Sequence, residues 1–148
     1  MKNFKNAKIV CSIILLTEFF YGAIIIILNK FSIIQLKPSQ ILTKSLYFIS
    51  ALIIICLFIL KKFIFYTKSM LKLSDDKLSM KMSSIFILFC AISESISILG
   101  LILYFITGVF QASILLIGVS ILSTLLVFPF DAVVSNYIEE IRRRREFD

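Results

Sequence analysis

Residues 84–130 read SIFILFCAISESISILGLILYFITGVFQASILLIGVSILSTLLVFPF, 47 positions that carry a single charge, Glu94. One helix crosses the hydrocarbon core of a bilayer in about 20 residues. The stretch is therefore long enough for two spans. The turn between them is expected at Thr107-Gly108, a helix-breaking pair with the polar Gln111 close by.

The same reading extends toward the N-terminus. Leu46 to Leu60 is an uncharged apolar run, prolonged by Phe63-Ile64-Phe65-Tyr66 beyond Lys61 and Lys62. Ile9 to Leu28 holds 20 residues and one charge, Glu18. The pattern predicts an all-α polytopic membrane protein with four transmembrane helices in two hairpins, near 9–28, 44–66, 84–106 and 110–130. Pro38 suits a first helical turn, which leaves room for an earlier start to the second helix. Lys2, Lys5 and Lys8 ahead of an apolar run look like the start of a signal peptide. But Glu18 interrupts the run and no convincing small-x-small cleavage site follows, so it reads as a retained helix.

Composition agrees. Of 148 residues, 59% are hydrophobic and only 17% charged, against roughly 25% charged in an ordinary soluble domain. That excludes a disordered chain and a disulfide scaffold, and leaves no room for a soluble domain beside the spans. The chain has no His and no Trp. Imidazole metal sites, His proton relays and Ser-His-Asp triads are excluded with them. No GxGxxG or GxxxxGK[ST] announces a nucleotide site. Cys11, Cys56 and Cys90 stand singly in apolar runs and read as free, buried thiols. No metal or cofactor is expected, and no enzymatic activity, for want of a nucleophile–base pair.

Lys and Arg set the orientation. The N-terminal segment, residues 61–83 and Arg142 to Arg145 together carry 13 of the 16 basic residues; Lys30, Lys37 and Lys44 lie on the other side. Both termini are expected to face the cytoplasm, in a multi-pass protein of a bacterial-type inner membrane. The net charge of +7 is then mostly this bias, and no nucleic-acid partner is needed to explain it.

After Pro129 the chain turns amphipathic, predicting a cytoplasmic tail helix over 131–148. Val133, Val134, Tyr137, Ile138 and Ile141 share one face. Glu139–Arg143 and Glu140–Arg144 sit at i, i+4 in the favourable order. Arg142, Arg143, Arg144 and Arg145 are candidates for contact with anionic lipid or an acidic partner. Ser74-Asp75-Asp76 resembles a helix N-cap with acidic first-turn residues, so the third helix is able to start before the bilayer.

Two carboxyls fall near mid-membrane. Glu18 is the tenth residue of its apolar run, and Glu94 the eleventh from Ser84. A charge there costs about 2.5–3.5 kcal/mol even on lenient insertion scales. No Lys or Arg lies inside a span to pair with them, so protonated carboxyls are expected, hydrogen-bonded to hydroxyls or to each other. Ser93, Ser97, Gly100, Tyr104 and Gly108 form a stripe at spacings of four and three, the kind of face that packs closely. Thr17, Tyr21 and Gly22 flank Glu18, and Ser113, Ser120, Ser123 and Thr124 make a shorter polar face on the fourth helix. Glu94 is read as the leading ion-binding residue and Glu18 as the lesser, with Ser97, Ser93, Tyr21 and Tyr104 as supporting polar groups. The spacing of 76 between the two acids also hints at a parallel duplication.

Ala91-Ile-Ser-Glu94-Ser-Ile-Ser-Ile-Leu-Gly100-Leu-Ile-Leu resembles the carboxylate helix of rotary-ATPase proteolipid (c-type) subunits, where Ala-x-x-Glu is followed by Gly in an apolar run. The resemblance implies that Glu94 is an ion-binding carboxylate with Ser97 as a nearby ligand. The chain departs from that family in having four Gly in all and its acid on the first helix of a hairpin. The expected function is thus binding or relay of a proton or cation by mid-membrane carboxyls, rather than rotor assembly. The alternative is a non-catalytic accessory or scaffold subunit. Self-association or other membrane subunits are the expected protein partners.

Overall fold

The apolar runs fold as helices that outlast them. In lipid every backbone polar group must be satisfied within the chain, and a helix does this segment by segment. A computed structural model describes the backbone over residues 2–31, 39–65 and 73–147, and side chains over 4–31, 39–63 and 73–144. Five helices follow in order: α1 (Lys2–Lys30), α2 (Gln40–Phe65), α3 (Asp75–Thr107), α4 (Phe110–Val127) and α5 (Asp131–Phe147). No strand occurs among the described residues. The first four are each long and apolar enough to cross a membrane. The protein is an all-α, multi-pass membrane protein.

The helix ends have local causes. α1 begins at Lys2 rather than near residue 9, because no Gly or Pro breaks the polar segment before it. α2 begins at Gln40 rather than 44, with the Leu42 N–H donating to the Ser39 hydroxyl at 3.4 Å. Lys37 and Pro38 before it, and Tyr66, Lys68 and Lys72 after it, lie outside the described residues. α3 begins at Asp75, well before 84. Ser74 is extended (φ −61°, ψ 155°), and Asp75 and Asp76 sit against the positive end of the helix dipole. At its other end Gly108 adopts φ 66°, a left-handed conformation that Gly enters without a Cβ penalty, and its N–H donates to the Tyr104 carbonyl at 2.8 Å. α4 stops at Val127, short of 130. Pro129 disfavours helical backbone at the residue before it, and Phe128 is extended (φ −60°, ψ 136°).

α3 and α4 form the antiparallel centre. In their most apolar windows 44% and 39% of residues are buried, against 17% in α1 and in α2, whose remaining apolar residues face outward toward lipid. Gly100 sets the close approach. A Cβ there would lie 2.9 Å from the Ser113 carbonyl oxygen and 3.1 Å from Leu116 Cβ. α1 runs parallel to α3 and packs against both α3 and α4, while α2 packs mainly on the far side of α3. Among the described residues α1 and α2 make few contacts, so the first hairpin stands open around the central pair. Cys11 and Cys90 are buried between α1 and α3, whereas Cys56 is exposed on the outside of α2, contrary to the expectation of three buried thiols.

Two apolar clusters cap the bundle. One gathers Phe4, Cys11, Leu78, Phe86, Phe89 and Val127; the other gathers Ile25, Tyr104 and Ile117. Between them lies a polar layer, described below. α5 folds back on the first cluster through Val134 and Ile141, with Tyr137 tilted against Phe86 at 6.5 Å between ring centroids. The starts of α1 and α3 and all of α5 therefore share one end of the bundle. Lys8–Asp131 and Arg142–Asp75 (2.9 Å) tie that end together. Exposed pairs of this kind contribute about 0–1 kcal/mol, so apolar packing holds α5 in place. The tail is thus less free than expected. Arg142 turns to Asp75 and Arg144 to Glu140 at 3.1 Å, while the expected Glu139–Arg143 pair is not formed. Arg143 is exposed, and the Arg145 side chain lies outside the described residues.

Candidate functional site

In α1, Phe4, Ala7, Cys11, Ile14, Glu18, Tyr21, Ile25 and Leu28 alternate by three and four residues, and each is buried or half-buried. This is the seam of a left-handed helix packing. Glu18 occupies a core position of the seam, which is why it points into the bundle. Its side chain is 0% exposed.

Opposite it stand Ser120 and Thr124, one turn apart on α4 and therefore side by side. Both hydroxyl oxygens lie 2.7 Å from Oε1 of Glu18. The Ser120 Oγ also lies 2.6 Å from the carbonyl oxygen of Ser93 on α3. The Glu18 carboxyl thus ties α1 to α4, and Ser120 carries the link on to α3. Its second oxygen, Oε2, is buried without a hydrogen-bond partner among the described residues, as are the Ser93 and Ser97 hydroxyls.

Glu94 is half-buried and turns toward α1. Its Oε1 lies 2.9 Å from Thr17 Oγ1 and 3.5 Å from the Tyr21 hydroxyl. Thr17 Oγ1 is in turn 2.7 Å from the Ile14 carbonyl oxygen. The two acids bond to hydroxyls and not to each other.

Burial separates the two acids. Glu94, expected to lead, sits at the edge of the α1–α3 groove, and Glu18 holds the enclosed position. Phe19 and Phe20 do not crowd Glu18; they are 55% and 59% exposed. Successive residues point 100° apart around a helix, so sequence neighbours are not spatial flanks. Ser97, expected beside Glu94, is buried but makes no hydrogen bond to it. Ser93 contributes its carbonyl oxygen rather than its hydroxyl. Tyr21 reaches Glu94 at long range, and Tyr104 packs with Ile25 and Ile117 instead of joining the polar layer. Ser120, Thr124 and Thr17, noted in the sequence only as polar neighbours, are the actual partners. The 3–4 seam in α1 is the sequence signal that would have placed Glu18 inside.

Chemically the site offers one enclosed carboxyl with two hydroxyls and a backbone carbonyl, and a second, half-buried carboxyl on the adjoining helix pair. It can hold a proton or an ion in an apolar surround. Comparison with protein-family models, curated proteins and solved structures finds no match to this chain.

Proposed function

We propose that this is an ion-handling membrane protein, not an enzyme, whose Glu18 binds and exchanges a proton or cation, with Glu94 as a secondary carboxyl. The observation that carries it is the enclosed Glu18 Oε1 with two hydroxyls at 2.7 Å. A carboxyl at membrane depth is costly to retain without a role. Three helices are joined through Glu18 and Ser120, while apolar side chains would pack them more simply. The likeness of residues 91–103 to proteolipid carboxylate helices supports the same class of chemistry, though it centres on Glu94. The basic end of the bundle, bearing Lys5, Lys8, Lys77, Lys81 and α5, is assigned to the cytoplasmic side by the charge bias.

A hydrophobic carbodiimide tests the reading, because it reacts with protonated carboxyls that are reachable within the membrane. Labelling at Glu18 that falls as pH rises, and disappears in Glu18→Gln, is the expected result. Absence of labelling at both Glu18 and Glu94 at every pH contradicts ion exchange and leaves the accessory-subunit reading, with both acids as structural hydrogen-bonding groups.

A further inference from the structure

The contacts around Ser120 bear on where protons stand. A serine hydroxyl carries one proton and two lone pairs. Its Oγ lies within hydrogen-bond distance of two oxygens, the Ser93 carbonyl at 2.6 Å and Glu18 Oε1 at 2.7 Å. The carbonyl can only accept. If Glu18 were a carboxylate it too could only accept, and one proton would serve two contacts. One of them would then set two lone pairs face to face at bonding distance. If Glu18 carries the proton, both contacts are bonds: Glu18 donates to Ser120, and Ser120 donates to Ser93. Thr124 donates its own proton to the remaining lone pair of Oε1, at 2.7 Å.

We infer that the ion held at Glu18 is a proton, carried as a neutral acid in a hydrogen-bond relay that latches α1 through α4 to α3. The inference deepens the ion-handling reading and rests on it only for exchange with the outside. Two further observations support it. Oε2 is buried without a partner among the described residues. Ionisation would place about half a negative charge on an oxygen that no donor reaches, the costly way to bury a charge. The oxygens, as they stand, are also hydrogen-bonded to one another rather than spread around a cation. Ligands at 2.0–2.6 Å from Mg²⁺ or Ca²⁺ and at right angles to each other stand about 2.8 Å apart or more. Separations of 2.6–2.7 Å are those of hydroxyl hydrogen bonds.

Among the described residues, the other titratable groups near Glu18 supply no positive charge. α3 brings Glu94 and Cys90, and α1 brings Cys11 and Tyr21. α4 brings hydroxyls only. Lys61 on α2 is turned to the Leu126 carbonyl at 3.3 Å, at the end of α4. Loss of the proton therefore leaves Ser120 able to bond to α1 or to α3 but not to both, and the latch opens at one side.

Infrared difference spectroscopy of the full chain in lipid tests this. The expected result is a protonated-carboxyl C=O stretch near neutral pH that is absent in Glu18→Gln. In Ser120→Ala it should persist at higher frequency, because a hydrogen bond to the acid is lost. Replacing choline chloride by sodium chloride at fixed pH should leave it unchanged. Carboxylate bands in its place, or removal of the C=O band by sodium, overturns the proton assignment while keeping Glu18 as an ion site. A band that persists at every pH supports the relay and contradicts exchange. Should Glu18→Gln fail to fold, the sodium comparison on the native chain and the Ser120→Ala shift still decide.

Discussion

Glu18 and Ser120 lie 102 residues apart in the chain, and their side chains meet at 2.7 Å. Ser120 touches both Glu18 on α1 and the Ser93 carbonyl on α3 through one atom, its Oγ. Its removal should therefore cost more than removal of Thr124, which reaches Glu18 alone. Side-chain hydrogen bonds in membrane proteins average about 0.6 kcal/mol and reach about 1.7 kcal/mol. Ser120→Ala should fall near the upper figure and Thr124→Val near the lower, read as denaturation midpoints in detergent. Equal effects would mean that the Ser93 contact carries nothing.

The α3–α4 crossing makes a steric prediction. At Gly100 a Cβ meets backbone at 2.9 Å, whereas at Gly22 its nearest neighbour is Ile117 Cγ2 at 3.7 Å, and at Gly118 nothing lies within 4 Å. Gly100→Leu should destabilise by about 1–3 kcal/mol or more through overpacking, and Gly100→Ala measurably. Gly22→Ala and Gly118→Ala should be mild. Thermal melting of the four variants checks this, and a Gly100→Leu protein as stable as Gly118→Ala would refute the crossing.

The tail helix separates packing from charge. Ile141, on the inner face of α5, is buried at 3% exposure, while the Arg142 and Asp75 side chains are both more than half exposed. Ile141→Ala should cost about 2–5 kcal/mol if the site fails to collapse, and Arg142→Ala less than about 1 kcal/mol. Limited proteolysis at the Phe128-Pro129-Phe130 link should be accelerated by the first substitution and not by the second.

Orientation follows from charge alone. Reporter fusions after Lys30, Lys72 and Asp148 should read outside, inside and inside. An outside signal at Asp148 would contradict the assignment of the basic end to the cytoplasm.

The sequence announced the spans because lipid demands long apolar runs, and the Thr107-Gly108 turn because Gly108 supplies the left-handed cap. It concealed which face of α1 is inside. In a soluble helix the outer face is polar and the inner stripe stands out. In α1 the lipid-facing Ile13, Leu16, Phe20 and Ile27 are as apolar as the buried Ile25, so contrast disappears and only the 3–4 spacing remains. Glu94 stands next to the Ser93–Ser97 stripe in sequence, but Ser93 and Ser97 lie on the buried face of α3 and Glu94 turns to α1. The Ser120–Thr124 pair was legible as a polar face; its target on α1 was not, because pairing between helices has no local signature.

An ion-handling Glu18 must exchange its proton with the surroundings. Proton uptake by the detergent-purified protein, titrated from low to high pH and compared with Glu18→Gln, measures this directly. The native chain should take up and release one proton more than the variant, with a release midpoint that does not move when sodium replaces choline. Superimposable titration curves for the two proteins would contradict it.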